Sequence, residues 1–186
     1  MAAIRSGLPM LGTCMLVLLV PGSTFAAESK VDPTAIWYAE TFHVSVEEAE
    51  SRFAKEDYAG ELGHLIETGS PETFAGIWIE HEPVFRVVVR FVGDAKAQLA
   101  KYTQDPLFVP ETAPRPYKLL VEAQNGIARQ LAEHGFDFES DIDLKKSEVT
   151  LYVRNPAKVK KRFSESFAKW PFIRVCKANG FPEPLD

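Results

Sequence analysis

Residues 73–92 read Thr73-Phe74-Ala75-Gly76-Ile77-Trp78-Ile79-Glu80, then His81-Glu82-Pro83, then Val84-Phe85-Arg86-Val87-Val88-Val89-Arg90-Phe91-Val92. Both flanking runs are rich in β-branched and aromatic residues, which fit a pleated, half-buried surface. In the second run Phe85, Val87, Val89 and Phe91 alternate with Arg86 and Arg90. Successive strand residues face opposite sides, so the pattern predicts a β-hairpin with one buried face and one solvated face. A hairpin alone cannot shield that apolar face, so flanking helices are required.

Upstream, Ser45-Val46-Glu47-Glu48 has the form of a capping box: the Ser45 hydroxyl accepts from the main chain three residues on, and Glu48 reaches back. The helix it opens places Ala49, Phe53, Leu62, Leu65 and Ile66 broadly on one face, with Glu56 and Gly60 interrupting, and Thr68-Gly69-Ser70-Pro71 stops it. Residues 28 to 35 are polar and Pro-containing, the composition of a loose leader. Downstream, Gly93-Asp94 caps a short helix through Ala95, Leu99 and Tyr102.

The second half repeats this order. Tyr117 to His134 is a helix with Leu119, Leu120, Ala123, Ile127 and Leu131 on one side, and Gly135 fits a left-handed terminator. Phe136-Asp137-Phe138 leads to Ile142 and Leu144. A turn at Lys145-Lys146-Ser147 then leads to the alternating run Val149-Thr150-Leu151-Tyr152-Val153. Asn155-Pro156 opens a helix through Val159, Phe163 and Phe167, and Trp170-Pro171 ends it before a last strand, Phe172 to Cys176. Between the halves, prolines at 106, 110, 114 and 116 read as a semi-rigid linker. The expectation is an α+β protein of two small subdomains, residues 28–104 and 117–186, joined by a linker at 105–116. Each subdomain is helix–hairpin–helix, with an antiparallel sheet covered by helices.

Residues 1–27 have the parts of a cleavable secretory signal: Arg5, an apolar core from Met10 to Val20, the breaker Pro21-Gly22, and the small-residue site Phe25-Ala26-Ala27. The apolar run is shorter than the ~20 residues that span a bilayer, so a retained membrane anchor is the weaker reading. A lipoprotein is weaker still, since Thr13 precedes Cys14 where a small residue is needed. The expected location is periplasmic or extracellular. With Cys14 removed, Cys176 is left alone, no intrachain disulfide forms, and stability rests on a hydrophobic core. The chain carries a net charge of −5, which argues against nucleic acid as partner. Lys158, Lys160, Lys161 and Arg162 make the one basic run, read as a solvated helix face.

Candidate chemistry is sparse. Glu80-His81-Glu82 groups two carboxylates with an imidazole, but strand alternation keeps the three apart and their hairpin-tip position favours a solvated turn. His43, His64 and His134 have no metal-ligand spacing. Asp137, Glu139, Asp141 and Asp143 alternate as one carboxylate row, suited to Ca²⁺ or a basic partner but more simply a solvated sheet face. Cys176 reads as a small buried residue. There is no Gly-x-Ser-x-Gly elbow or Walker loop. No catalytic residue, metal site or cofactor is expected, and the chain reads as a non-enzyme.

Three segments carry a resemblance. They are Val44-Ser45-Val46-Glu47-Glu48-Ala49-Glu50-Ser51-Arg52-Phe53, then Phe74-Ala75-Gly76-Ile77-Trp78-Ile79, then Asp141 to Val153 behind a helix with Gln124 and Gln130. Over most of residues 42 to 155 the chain resembles the pro-region of secreted bacterial serine proteases of the alpha-lytic protease and streptogrisin type. The chymotrypsin-like catalytic domain that follows such pro-regions is not expected in these residues. The resemblance implies an exported, propeptide-like protein that inhibits a secreted chymotrypsin-like serine protease in trans, or helps it fold. It further implies contacts through the last strand and the tail: Phe172, Ile173, Arg174, Val175, Phe181, Leu185 and Asp186. The alternative is a cell-envelope binding or structural module without a protease partner; an enzyme of unrecognised type is a third reading.

Overall fold

The computed structural model describes residues 32–178 and Gly180. The expected signal peptide, the start of the leader, and Phe181, Leu185 and Asp186 lie outside the described residues. Ser45 Oγ accepts from the Glu48 amide at 3.1 Å and starts α2 (Val46–Gly69). The capping box is only half formed, because Glu48 turns its carboxylate to Arg52 Nε at 2.9 Å, one turn along. Helix α2 buries Ala49, Ala59, Leu62, Gly63 and Ile66, whereas Leu65 is exposed. At 100° per residue Leu62 and Ile66 define the buried stripe, and Leu65 falls beside it. Before α2 comes α1 (Pro33–Phe42), which absorbs the end of the expected leader and buries Ala35, Tyr38 and Ala39 against Ala49.

The predicted hairpin is β1 (Phe74–Glu80) with β2 (Arg86–Val92), antiparallel, with Ile77 opposite Val89. Gly76 sits at a register shift with φ +131°, and a Cβ there would press on Leu144 at 3.0 Å. Asp94 Oδ1 accepts from the Ala97 amide at 3.0 Å and opens α3 (Ala95–Leu99).

Residues 105–116 are not a linker. They contain β3 (Phe108–Ala113), which pairs parallel to β2 from Val87↔Phe108 to Val92↔Ala113. Prolines mask this strand in the sequence. Val87 N–H donates to Leu107 O at 3.0 Å. Ladder alternation therefore turns the backbone of Val109 and Glu111 toward β2 and that of Phe108, Pro110 and Thr112 away. The missing N–H of Pro110 faces the open edge, where a sheet loses no bond.

The second half has the same plan. Helix α4 (Tyr117–Glu133) buries Leu120, Ala123, Ile127 and Leu131, and Gly135 follows it at φ +68°. Strands β4 (Phe138–Asp143) and β5 (Glu148–Val153) form the antiparallel hairpin. Asn155 Oδ1 caps α5 (Pro156–Arg162), accepting from Lys158 at 3.0 Å. A break at Phe163 separates α5 from α6 (Ser164–Lys169), and β6 (Ile173–Lys177) pairs parallel to β5.

The molecule is α+β, and its halves are two copies of helix–hairpin–helix–strand. Each sheet is three-stranded, in the orders β1-β2-β3 and β4-β5-β6. The third strand makes each sheet mixed rather than antiparallel. Residue equivalences are close: Val87, Val89 and Phe91 match Val149, Leu151 and Val153 in the cores, and Val87↔Phe108 matches Val149↔Ile173 in register. Each core buries large side chains worth roughly 1.5–3 kcal/mol apiece.

Strand β2 corrects a second expectation. Its Arg90 face is not solvated: Val88 is fully buried and Arg90 is 8% exposed. The β4–β5 turn covers it. Arg90 Nη1 donates to the carbonyls of Leu144 and Lys145 and to Ser147 Oγ, the last two at 2.8 and 3.2 Å, and Nη2 donates to Thr112 O at 3.2 Å. Arg115 Nη1 donates to Ser147 O, and its guanidinium lies 4.6 Å from the Phe172 ring.

Candidate functional site

Strand β6 is the outer strand of its sheet, bonded to β5 on one side. Val149 N–H donates to Phe172 O at 3.2 Å, and Ala178 N–H donates to Val153 O at 3.0 Å. Those two bonds fix the alternation. Arg174 and Cys176 turn their backbone groups to β5, and Ile173, Val175 and Lys177 turn theirs outward. Ile173 N–H is taken by Trp170 O at 3.0 Å. Among the described residues, the amides of Val175 and Lys177 and the carbonyls of all three therefore line an open edge.

The side chains alternate as well. Ile173 and Val175 pack on the core with Phe172, while Arg174 stands on the opposite face, 3.5 Å from Glu148. The structure thus brings Phe172, Ile173, Arg174 and Val175 together at one edge. Cys176 is half-buried beside Tyr152 and has no disulfide partner among the described residues.

The equivalent edge of the other sheet differs at one position. Register places Pro110 of β3 opposite Val89, and Val175 of β6 opposite Leu151. Where β6 offers an outward amide at Val175, β3 offers a proline with none. Proline on an edge strand is a common block to further pairing.

The acidic row lies on one face, with Glu139 opposite Tyr152, Asp141 opposite Thr150 and Asp143 opposite Glu148. Two of its members are in local pairs: Asp143 takes Lys146 Nζ at 2.7 Å, and Asp137 takes Arg154 at 3.4 Å. The bond from Lys146 holds the Asp143 carboxyl below its ordinary value. Among the described residues no three His, Cys, Asp or Glu side chains are arranged to hold a metal ion.

Glu80 closes β1, and His81 and Glu82 lie in the turn beyond it. Glu80 accepts from Trp78 Nε1 at 3.2 Å and Arg86 Nε at 2.7 Å; these bonds, Trp78 first, lower its pKa. His81 is not the solvated turn residue expected of its position. Its ring stacks on Phe42 at 4.8 Å, with Nδ1 2.8 Å from Tyr38 Oη and 3.9 Å from Glu56 Oε1. Tyr38 is 4% exposed, and its hydroxyl is engaged by His81. The cluster ties α1 to the β1–β2 turn. His43 is exposed, and His64 lines a cleft of about 580 Å³ with Gly63, Glu67, Gln124, Ser140 and Asp141.

Sequence reasoning missed Arg90, whose only signal is a charge inside a β-branched run, and the Pro110/Val175 contrast, legible only once β3 is recognised. No protein-family model matches the chain, and no curated protein matches its sequence.

Proposed function

We propose that the protein is an exported, non-catalytic docking module, one that lends its β6 edge to a strand of a secreted chymotrypsin-like serine protease and thereby inhibits it or assists its folding. The observation that carries this reading is the contrast between two equivalent edges: one is stopped by Pro110 and the other, among the described residues, is open at Val175 and Lys177. Strand addition draws affinity from main-chain hydrogen bonds and selectivity from alternate side chains. Here the selective positions are Arg174 and Cys176 on one face and Ile173 and Val175 on the other. The resemblance of Val44–Phe53, Phe74–Ile79 and Asp141–Val153 to protease pro-regions supplies the partner class. The resemblance also implies tail contacts at Phe181, Leu185 and Asp186, which lie outside the described residues. The edge acts through its backbone.

The test is hydrogen exchange of the purified protein mixed with exported chymotrypsin-like proteases. Slowed exchange at Val175 and Lys177, with inhibition of the protease, is the expected result. Unchanged exchange at β6 in an inhibited complex would move the contact elsewhere, and no complex with any protease would favour an envelope module.

A further inference from the structure

The basic run Lys158, Lys160, Lys161 and Arg162 belongs to α5, and Lys158, Lys161 and Arg162 share one helix face at i, i+3 and i+4. They do not face open solvent alone. With His134 and Phe136 they line a recess of about 600 Å³. Phe136 is half-buried, and Lys158 Nζ lies 5.4 Å from its ring. His134 Nδ1 is 2.8 Å from Gln130 O. A carbonyl only accepts, so Nδ1 carries the proton and Nε2 is the ring's remaining polar position. None of Lys158, Lys161 and Arg162 has an ion-pair partner among the described residues. The neighbouring carboxylate Asp137 is taken by Arg154 at 3.4 Å.

A chain with a net charge of −5 has acids to spare, yet it leaves three cations uncompensated around one hollow. Lys161 and Arg162 complement the dipole in the last turn of α5, but at this spacing the three cations repel one another, a repulsion an anion in the recess would relieve. The count of cations selects the anion. One cation balances a monocarboxylate; three suit a phosphoryl group, which an arginine fork grips in bidentate fashion and lysines hold as point charges. The Phe136 ring adds a surface for an apolar or planar body. A bilayer is disfavoured, because the large exposed apolar side chains, such as Trp37, Leu65 and Val84, do not line this recess. Duplex nucleic acid needs a basic face longer than one seven-residue helix.

We propose that the recess formed by His134, Phe136, Lys158, Lys161 and Arg162 binds a soluble phosphate monoester whose organic body rests on Phe136.

The experiment is calorimetric titration of the full chain with phenyl phosphate, inorganic phosphate, acetate, and vesicles of phosphatidylglycerol. Expected are saturable binding of phenyl phosphate, at least tenfold weaker binding of inorganic phosphate, and none of acetate. Lys161→Gln with Arg162→Gln should lose at least tenfold for both phosphates. Both residues are exposed, and an unchanged circular dichroism spectrum will exclude misfolding. Phe136→Leu should narrow the gap between phenyl phosphate and phosphate. The proposal is overturned by no saturable phenyl phosphate binding, by binding that the double variant leaves intact, or by binding to vesicles alone.

Discussion

Arg90 on β2 donates from Nη1 to the main-chain oxygen of Lys145, 55 residues later, at 2.8 Å, and so clamps the turn of one sheet onto the face of the other. The same nitrogen reaches Leu144 and Ser147, while Nε of Arg90 is buried with no hydrogen-bond partner among the described residues. A buried cation held by carbonyls is tolerated only while those bonds exist. Arg90→Met should destabilise the protein by about 2–3 kcal/mol, since it strands the buried Ser147 hydroxyl and three partly buried carbonyls. Denaturant unfolding measures this; a loss under about 0.5 kcal/mol would show the clamp to be incidental.

Gly126 lies in the interior of α4, where glycine is ordinarily about 1 kcal/mol worse than alanine. A Cβ there would overlap the indole of Trp170, which is 9% exposed. Overpacking outweighs propensity, so Gly126→Ala should destabilise by about 1–3 kcal/mol. Trp170→Leu in the same chain should recover part of that loss in a double-mutant cycle.

The duplicated plan predicts matched caps. Asp94→Ala and Asn155→Ala each remove one side-chain acceptor from an equivalent helix start. Each should cost about 1 kcal/mol in thermal or denaturant unfolding. Unequal values, one near zero, would mean that the second helix start is held by packing alone.

Stability should fall on acidification. The Glu48, Glu80 and Asp143 carboxyls are held below their ordinary values, by Arg52, by Trp78 with Arg86, and by Lys146 respectively. A folded-state pKa below the unfolded one contributes stability that is complete above the unfolded value and lost as pH falls through the folded value. Lys118 and Lys146 shift the other way, upward, beside Glu72 and Asp143, so their contribution is present below the unfolded value and fades only as pH rises through the folded one. Denaturation midpoints should be flat from about pH 6 to about pH 8 and drop below about pH 4. High salt should shrink the acid-side change, because the pairs are near the surface.

Much of this fold is visible in the sequence because its hairpins alternate cleanly and its caps sit at helix starts. Val149-Thr150-Leu151-Tyr152-Val153 could only be a strand with one apolar face, and it is. Strand β3 escaped because Pro110 normally argues against a strand, and only its outward-facing nitrogen makes it compatible. Arg90 read as solvent-facing because periodicity reports which side a residue takes, not what another half of the chain lays over that side. The same limit hid the partners of His81: Phe42, Tyr38 and Glu56 come from two helices that local pattern cannot bring together. The β6 edge was legible as a last strand, but its openness among the described residues depends on pairing that only the fold supplies.

The most direct test of the docking account compares two prolines. Val175→Pro removes an amide that points away from β5 and copies what Pro110 already does in the equivalent strand, so the fold should persist. Cys176→Pro removes an amide that bonds β5 and should destabilise the sheet more than Val175→Pro does. The measurement is inhibition of exported chymotrypsin-like proteases by the native protein and by folded Val175→Pro. The account predicts slow-dissociating inhibition by the native protein and at least a tenfold loss, about 1.4 kcal/mol, in the variant. No inhibition by the folded native protein, or equal inhibition by Val175→Pro, would contradict it.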